Sequence, residues 1–304
     1  MDVAGNLTVG APQTGGMASF GDLSTLYQDN PYLVWAAVGA TAAVLPLSSL
    51  LFGRPSKPPP PFLDSQRWQS IPLAKVEQET HLVKRLTFSL QHKQQLLGLP
   101  AGMCIKVKVG QQEQAYNPIS TDETPGEVVI LVKEYPVGHP EHAMSAALHA
   151  LQPGASVAIK GPFGTFRYQP GKYKAIGLLA GGTGVTAMIN LSTVILKNPN
   201  DKVKLRLVYA SNSMEDVLMK LHLDAMAAGY YGKFKALYVV NEAPDAGHHV
   251  SMGLIDKEMI TKYVNAPPSE DVMMVVCGPP AFVADQKANL AELGYTNVVI
   301  IDDM

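Results

Sequence analysis

The chain has 304 residues, of which 47% are hydrophobic and 16% charged, a balance that excludes disorder throughout and provides for about two buried cores. Lys and Arg number 24 against 26 Asp and Glu, a formal net charge of -2, which argues against a nucleic-acid binder working through bulk positive charge. The two cysteines, Cys104 and Cys277, make no disulfide scaffold and have no neighbours for a zinc-type cluster, so the fold does not need an oxidising compartment.

Residues 1–31 are polar, with Asp2, Asp22 and Asp29 but no Lys or Arg, unlike an Arg-rich presequence or a signal with a basic start. Tyr32 to Phe52 is a run of 21 uncharged residues, as a helix roughly 30 Å long, the thickness of a bilayer's hydrocarbon core. With Tyr32 and Trp35 as interfacial aromatics, the run predicts a transmembrane anchor over 32–53, the alternative being a buried core helix. Pro46 should kink it. Ala36, Gly39, Ala40 and Ala43 offer a small-residue face to a transmembrane partner helix, or belong to an Ala-rich span without one. Arg54, Lys57 and Arg67 follow the run, which places the C-terminal part on the cytosolic or matrix side of an endoplasmic reticulum or mitochondrial membrane. Within the linker 54–67, Pro58 to Pro61 should form an extended spacer holding the body off the membrane.

From 68 to 170 the pattern is that of strands: Leu82 to Phe88, Met103 to Val109, and Glu127 to Val132 ending at Lys133. Gly and Pro punctuate them, which suggests a barrel or sandwich. One helix is expected from Met144 to Leu151, with Ser145 as its N-terminal cap. His139 and His142 flank Pro140 and read as a surface loop rather than a metal pair.

After residue 170 the grammar becomes α/β through to 304. Strands are expected at Lys174 to Ala180, Leu205 to Ala210, Phe234 to Val240, Val272 to Cys277 and Val298 to Ile301. Helices are expected at Ala187 to Leu196, Glu215 to Ala228, Asp256 to Tyr263 and Pro280 to Leu293. This alternation makes a parallel sheet covered on both faces, with ligands at the carboxyl ends of its strands. Two Gly-rich turns fall there: Gly181-Gly182-Thr183-Gly184 and Cys277-Gly278-Pro279-Pro280. Glycine lets backbone N–H groups approach a diphosphate at a helix N-terminus, although Gly181 to Gly184 taken alone is not the GxGxxG fingerprint and reads first as a structural turn.

The order of motifs adds to this. Ala115-Tyr116-Asn117-Pro118-Ile119-Ser120, then Lys160-Gly161-Pro162-Phe163-Gly164, then the two Gly-rich turns, resembles the NADH–cytochrome b5 reductase family, part of the ferredoxin-NADP reductase-like flavoproteins. The resemblance runs from about Trp68 to the C-terminus and implies an FAD-binding barrel, an NADH-binding α/β domain and, commonly, an N-terminal anchor. By that likeness Tyr116 packs against the isoalloxazine, Asn117 and Lys133 lie beside the flavin, and the Met144-Ser145 pair opens the helix facing the FAD diphosphate. Gly182, Thr183 and Gly184 then cradle the NADH diphosphate, Thr186 sits near the flavin–nicotinamide contact, and Cys277, followed by Gly278 and Pro279, lies against the nicotinamide.

Four residues depart from the family pattern at the FAD diphosphate. Gln114 replaces an arginine, Glu141 and His142 replace glycines, and Ala143 replaces a basic residue. A neutral amide does not substitute for a bidentate guanidinium, and a carboxylate repels a diphosphate. Asn241 replaces an acidic residue, and the chain ends Asp302-Asp303-Met304 rather than on an aromatic. Residues 211–216 carry no Arg or Lys for a 2′-phosphate, which favours NADH. The resemblance thus implies a membrane-anchored reductase moving hydride from NADH to FAD and single electrons on to a haem protein or quinone. The alternative is a non-catalytic accessory subunit of a respiratory-type membrane complex with weakened FAD binding.

Overall fold

A computed structural model of the protein describes residues 58–242 and 249–301. The polar segment 1–31, the expected anchor at 32–53 and the terminal Asp302-Asp303-Met304 lie outside those residues. No helix among the described residues is long and apolar enough to cross a membrane.

The first part is an antiparallel sheet of six strands: β1 (Gln69–Thr80), β2 (Val83–Ser89), β3 (Cys104–Val109), β4 (Gln112–Tyr116), β5 (Glu127–Lys133) and β6 (Ser156–Phe163), ordered β4-β3-β6-β1-β2-β5. Its two edges meet through the segment after β4: Ile119 N donates to Val129 O (2.9 Å), and Val129 N donates to Ser120 Oγ (2.9 Å). Alternate residues such as Ile71, Leu73, Ile105, Val107, Val157 and Ile159 turn inward and form one apolar core, as period-two side chains must when one face is buried. Helix α1 (His142–His149) contributes Met144 and Leu148 to that core.

Three expectations are corrected here. The helix begins at His142 rather than Met144, so His142 is helical, with Nδ1 2.7 Å from Tyr135 O, rather than part of a loop. Ser145 is not its cap: Glu141 holds that position, while Ser145 Oγ donates to His142 O (3.1 Å) and accepts from Tyr135 N (3.3 Å). Finally, the Pro-rich stretch does not stand off along its whole length. Phe62 is buried, Phe62 N and Leu63 N donate to Leu96 O and Leu97 O (2.9 and 3.1 Å), and Pro60 O accepts from Gln95 Nε2 (3.0 Å).

The second part is a parallel sheet: β7 (Ala175–Gly181), β8 (Lys204–Ser211), β9 (Phe234–Val240), β10 (Val250–Met252), β11 (Val272–Cys277) and β12 (Val298–Ile300). Helices α2 (Val185–Lys197), α3 (Lys220–Gly229), α4 (Lys257–Val264) and α5 (Pro280–Glu292) connect them. Every residue of β7 and of β11 is buried, as continuous apolar strands covered on both faces require. Strand order is β10-β9-β8-β7-β11-β12, so the chain winds outward from β7 in one direction and then returns to β11 on its other side. That reversal is the crevice where open α/β sheets take their ligands. The helix expected from Glu215 begins only at Lys220, because residues 216 and 217 close turns onto Ser213 O and Met214 O.

The two sheets share packing. Val83 of β2 and Leu131 of β5 belong to the same buried cluster as the α2 face of the parallel sheet. Asn190 of α2, 3% exposed, donates its amide to Pro118 O (3.0 Å) and Ser120 O (3.1 Å) in the segment after β4. Asn190→Ala leaves both carbonyls without this donor in a buried place. The expected cost is about 1–3 kcal/mol, read as a lowered midpoint in thermal unfolding, whereas an unchanged midpoint would show that the tie contributes nothing.

Candidate functional site

At the end of β7 the chain makes a 3-10 turn, Gly182–Gly184, and enters α2. This turn lies against the end of β11: a Cβ on Gly184 would stand 2.3 Å from Cys277 O, and one on Gly181 2.9 Å from the Phe282 ring. Gly182 is the opposite case, with φ +53 and nothing within 4 Å of where a Cβ would be. Glycine is needed at 184 for close approach of backbones, and at 182 for the left-handed turn that leaves an open backbone surface.

That surface borders a cleft of about 270 Å³. Gly182, Thr183 and Pro279 form one wall, and Ser211, Asn212, Asp216 and Asn241 form another at the ends of β8 and β9. The remaining wall comes from the first sheet: Thr80, Leu82 and Val83 around the β1–β2 turn, and Lys133 at the end of β5. Lys133 Nζ also sits over the Tyr135 ring, 5.5 Å from its centre.

The structure thus brings Lys133, Gly182, Thr183 and Pro279 together around one opening. Gly184, Thr186 and Cys277 are buried and do not line it; Thr186 Oγ1 donates to Thr183 O (2.9 Å) and so fixes the turn from behind. Gly278 stands over Gly181, its would-be Cβ 3.1 Å from the Gly181 Cα. Tyr116 and Asn117 stand at the end of β4; Asn117 Nδ2 donates to Met103 O (3.3 Å), and Tyr116 is half-buried against the first core. Met144 is a core residue and Ser145 is 2% exposed. Gln114, two residues before Tyr116 and on the same face of β4, donates Nε2 to Glu141 Oε2 (2.8 Å) at the start of α1.

Residues 70–168 match the model for an oxidoreductase FAD-binding domain, and residues 178–288 that for an oxidoreductase NAD-binding domain. NADH–cytochrome b5 reductase 1 of Arabidopsis thaliana is 36% identical over 270 residues, covering 87% of this chain and 92% of that protein. The chain belongs to the NADH–cytochrome b5 reductase family. The reductase 1 of Dictyostelium discoideum is 37% identical over 237 residues, 77% of this chain and 80% of that one. The cytochrome b5 reductase domain of Ulva prolifera nitrate reductase superposes with a TM-score of 0.72 at 31% identity, covering 79% of this chain and 99% of that structure.

As a member of the NADH–cytochrome b5 reductase family the chain is an NADH-dependent oxidoreductase, with FAD and NADH as its cofactors. The nicotinamide nucleotide fits the residues present, since the cleft at the switch point is floored by bare backbone at Gly182. At the start of α1, where the family likeness puts the FAD diphosphate, a carboxylate is bonded to a neutral amide.

Sequence reasoning did not find the cleft wall formed by Thr80, Leu82 and Val83, nor the polar ties at Glu79, Arg85 and Asn190. Their signal lies in tertiary placement, and no local motif carries it.

The two glycines of the turn separate experimentally. Gly184→Ala must push α2 off β11 and should cost ~2 kcal/mol or more. Gly182→Ala, with open space but a left-handed backbone, should cost about 1 kcal/mol. Thermal unfolding of both variants checks the order, and equal losses would contradict the close contact at Cys277.

Proposed function

We propose that this chain takes hydride from NADH in the switch-point cleft, passes it to FAD seated against Tyr116, and releases single electrons to a haem protein of the cytochrome b5 kind. The observation that carries the reading is the composition of the cleft: the Gly182–Thr183 turn and Lys133 face the same opening from two different sheets. A nucleotide held there lies across the junction, within reach of a ring on the first sheet.

FAD supplies the change from two-electron to one-electron chemistry, and the protein supplies placement. The N–H groups at the start of α2 meet the nucleotide diphosphate, with the positive end of the helix behind them. Thr186 holds the turn in shape through Thr183 O. Cys277, small and buried at the end of β11, packs behind the Gly182–Gly184 turn and supports the opening from there. Tyr116 and Asn117 border the flavin ring, and Lys133 approaches it from β5. The Asp216 carboxylate beside Ser211 and Asn212 disfavours a 2′-phosphate and supports NADH over NADPH. Membrane anchoring through 32–53, with the reductase body on the cytosolic or matrix side, is supported by the uncharged run and the basic residues that follow it.

The Gln114–Glu141 contact bears on how FAD is held. With Glu141 at the start of α1, a diphosphate there meets a carboxylate instead of a guanidinium. Retention of FAD should therefore be weaker than its ring contacts alone would give.

Anaerobic NADH should bleach the flavin absorbance of the FAD-loaded protein, and failure to do so with stoichiometric flavin present would refute the proposed transfer. Glu141→Gln should tighten FAD binding about tenfold, the order of one unfavourable charge removed, while riboflavin, which lacks the diphosphate, binds as before. Equal tightening of riboflavin would place Glu141 somewhere other than the diphosphate.

A further inference from the structure

The first sheet and the nucleotide domain are joined at a second point, away from Asn190. Glu79, near the end of β1, accepts from Arg85 of β2 on Oε2, with Nη2 at 2.7 Å and Nε at 3.1 Å. Its other oxygen, Oε1, accepts from the backbone N–H of Met219 at 3.2 Å. Arg85 Nη2 also approaches Met219 Sδ at 2.8 Å. Both side chains are well covered, Glu79 at 15% and Arg85 at 31% exposure. A charge-assisted contact in such a place is stronger than one in open solvent.

Met219 is an unusual residue to hold. It has φ 56 and precedes α3, one of two non-glycine residues with positive φ among those described. A left-handed methionine costs free energy and persists only where its surroundings impose it. Here two successive amides are fixed: Leu218 N donates to Tyr209 Oη (3.2 Å), and Met219 N donates to Glu79. Burial pushes the Tyr209 phenol well above its ordinary range, so it remains protonated. The carboxylate also lies at the N-terminus of α3, where the helix dipole favours negative charge.

The chain neighbours of this tie line the cleft on both sides. Thr80 follows Glu79, and Leu218 precedes Met219; both border the opening, as does Asp216. His81 Nδ1, in the same β1–β2 turn, lies 3.7 Å from Asp216 Oδ1. A shift of the α3 entrance relative to β1 therefore changes the width of the cleft.

We propose that Glu79, held by Arg85, is a positioning residue for the nicotinamide nucleotide: it sets the cleft's width by fixing the strained Met219 turn against the first sheet. This rests on the reading that the nucleotide occupies the cleft. Removing the carboxylate lets the 216–219 segment relax from its strained form and loosens the wall opposite Gly182. It touches no ring and no reacting atom, so its effect falls on nucleotide affinity.

The test compares the FAD-loaded wild type with Glu79→Ala, Glu79→Gln and Ser211→Trp, by NAD⁺ titration calorimetry, the flavin visible spectrum and thermal unfolding. Glu79→Ala should weaken NAD⁺ binding about tenfold with the flavin spectrum unchanged. Glu79→Gln keeps an oxygen for Met219 N but loses the negative charge that faces Arg85, and should weaken binding about threefold; it serves if the alanine variant does not fold. Ser211→Trp fills the cleft itself and should abolish binding. Undiminished binding in Ser211→Trp would overturn the placement of the nucleotide, and the clamp with it. Loss in Ser211→Trp together with unchanged affinity in the Glu79 variants, even at a lowered unfolding midpoint, would overturn the clamp alone.

Discussion

At Gly184 the turn after β7 packs backbone against backbone on the end of β11, and the arrangement of the site follows from that contact. With Gly184 this close to Cys277 O, the start of α2 is set by backbone packing rather than by loop preference. Gly182 and Thr183 are thereby set beside the crevice at the reversal of strand order. The same closeness buries Thr186 and Cys277, which support the opening instead of lining it. At Gly182 the backbone stands open, with nothing within 4 Å of where a Cβ would be.

A crevice at the end of one sheet would bind a nucleotide but would not align it with a second ring. Alignment requires that the first sheet be held at a fixed place, and three kinds of contact hold it. Val83 and Leu131 enter the buried cluster of the nucleotide domain, Asn190 reaches back to the segment after β4, and Glu79 secures the entrance to α3. The apolar contacts supply attraction without direction. The hydrogen bonds from Asn190 and to Glu79 fix the register, since leaving such groups unpaired where water is excluded is costly.

Strands with continuous apolar runs were legible in the sequence, β7 and β11 above all, because burial on both faces leaves a pattern that needs no partner to be read. The Gly-rich turns were legible for the same local reason. Strands β1, β4 and β6 were not. A register shift between Leu73 and Lys75 breaks the alternation of β1, β4 reads Gln-Glu-Gln-Ala-Tyr, and β6 ends in Gly161-Pro162-Phe163. The entrance to α3 was misplaced because periodicity from Glu215 onward looks helical, whereas Glu79 and Tyr209 capture the amides of residues 219 and 218. Ser145 was misjudged as a cap since its hydroxyl, inside the helix, turns back to His142 O. Gly182, Thr183 and Pro279 of the family motifs border the cleft, and the wall from the β1–β2 turn emerged only with the fold.

The central claim is that one nucleotide touches both sheets. Amide hydrogen exchange, compared with and without saturating NAD⁺, tests it most directly. The account predicts slowed exchange at residues 181–184, 211–218 and, in step with them, at residues 80–83 of the first sheet. Protection confined to the parallel sheet, with the β1–β2 turn exchanging as before, would contradict it.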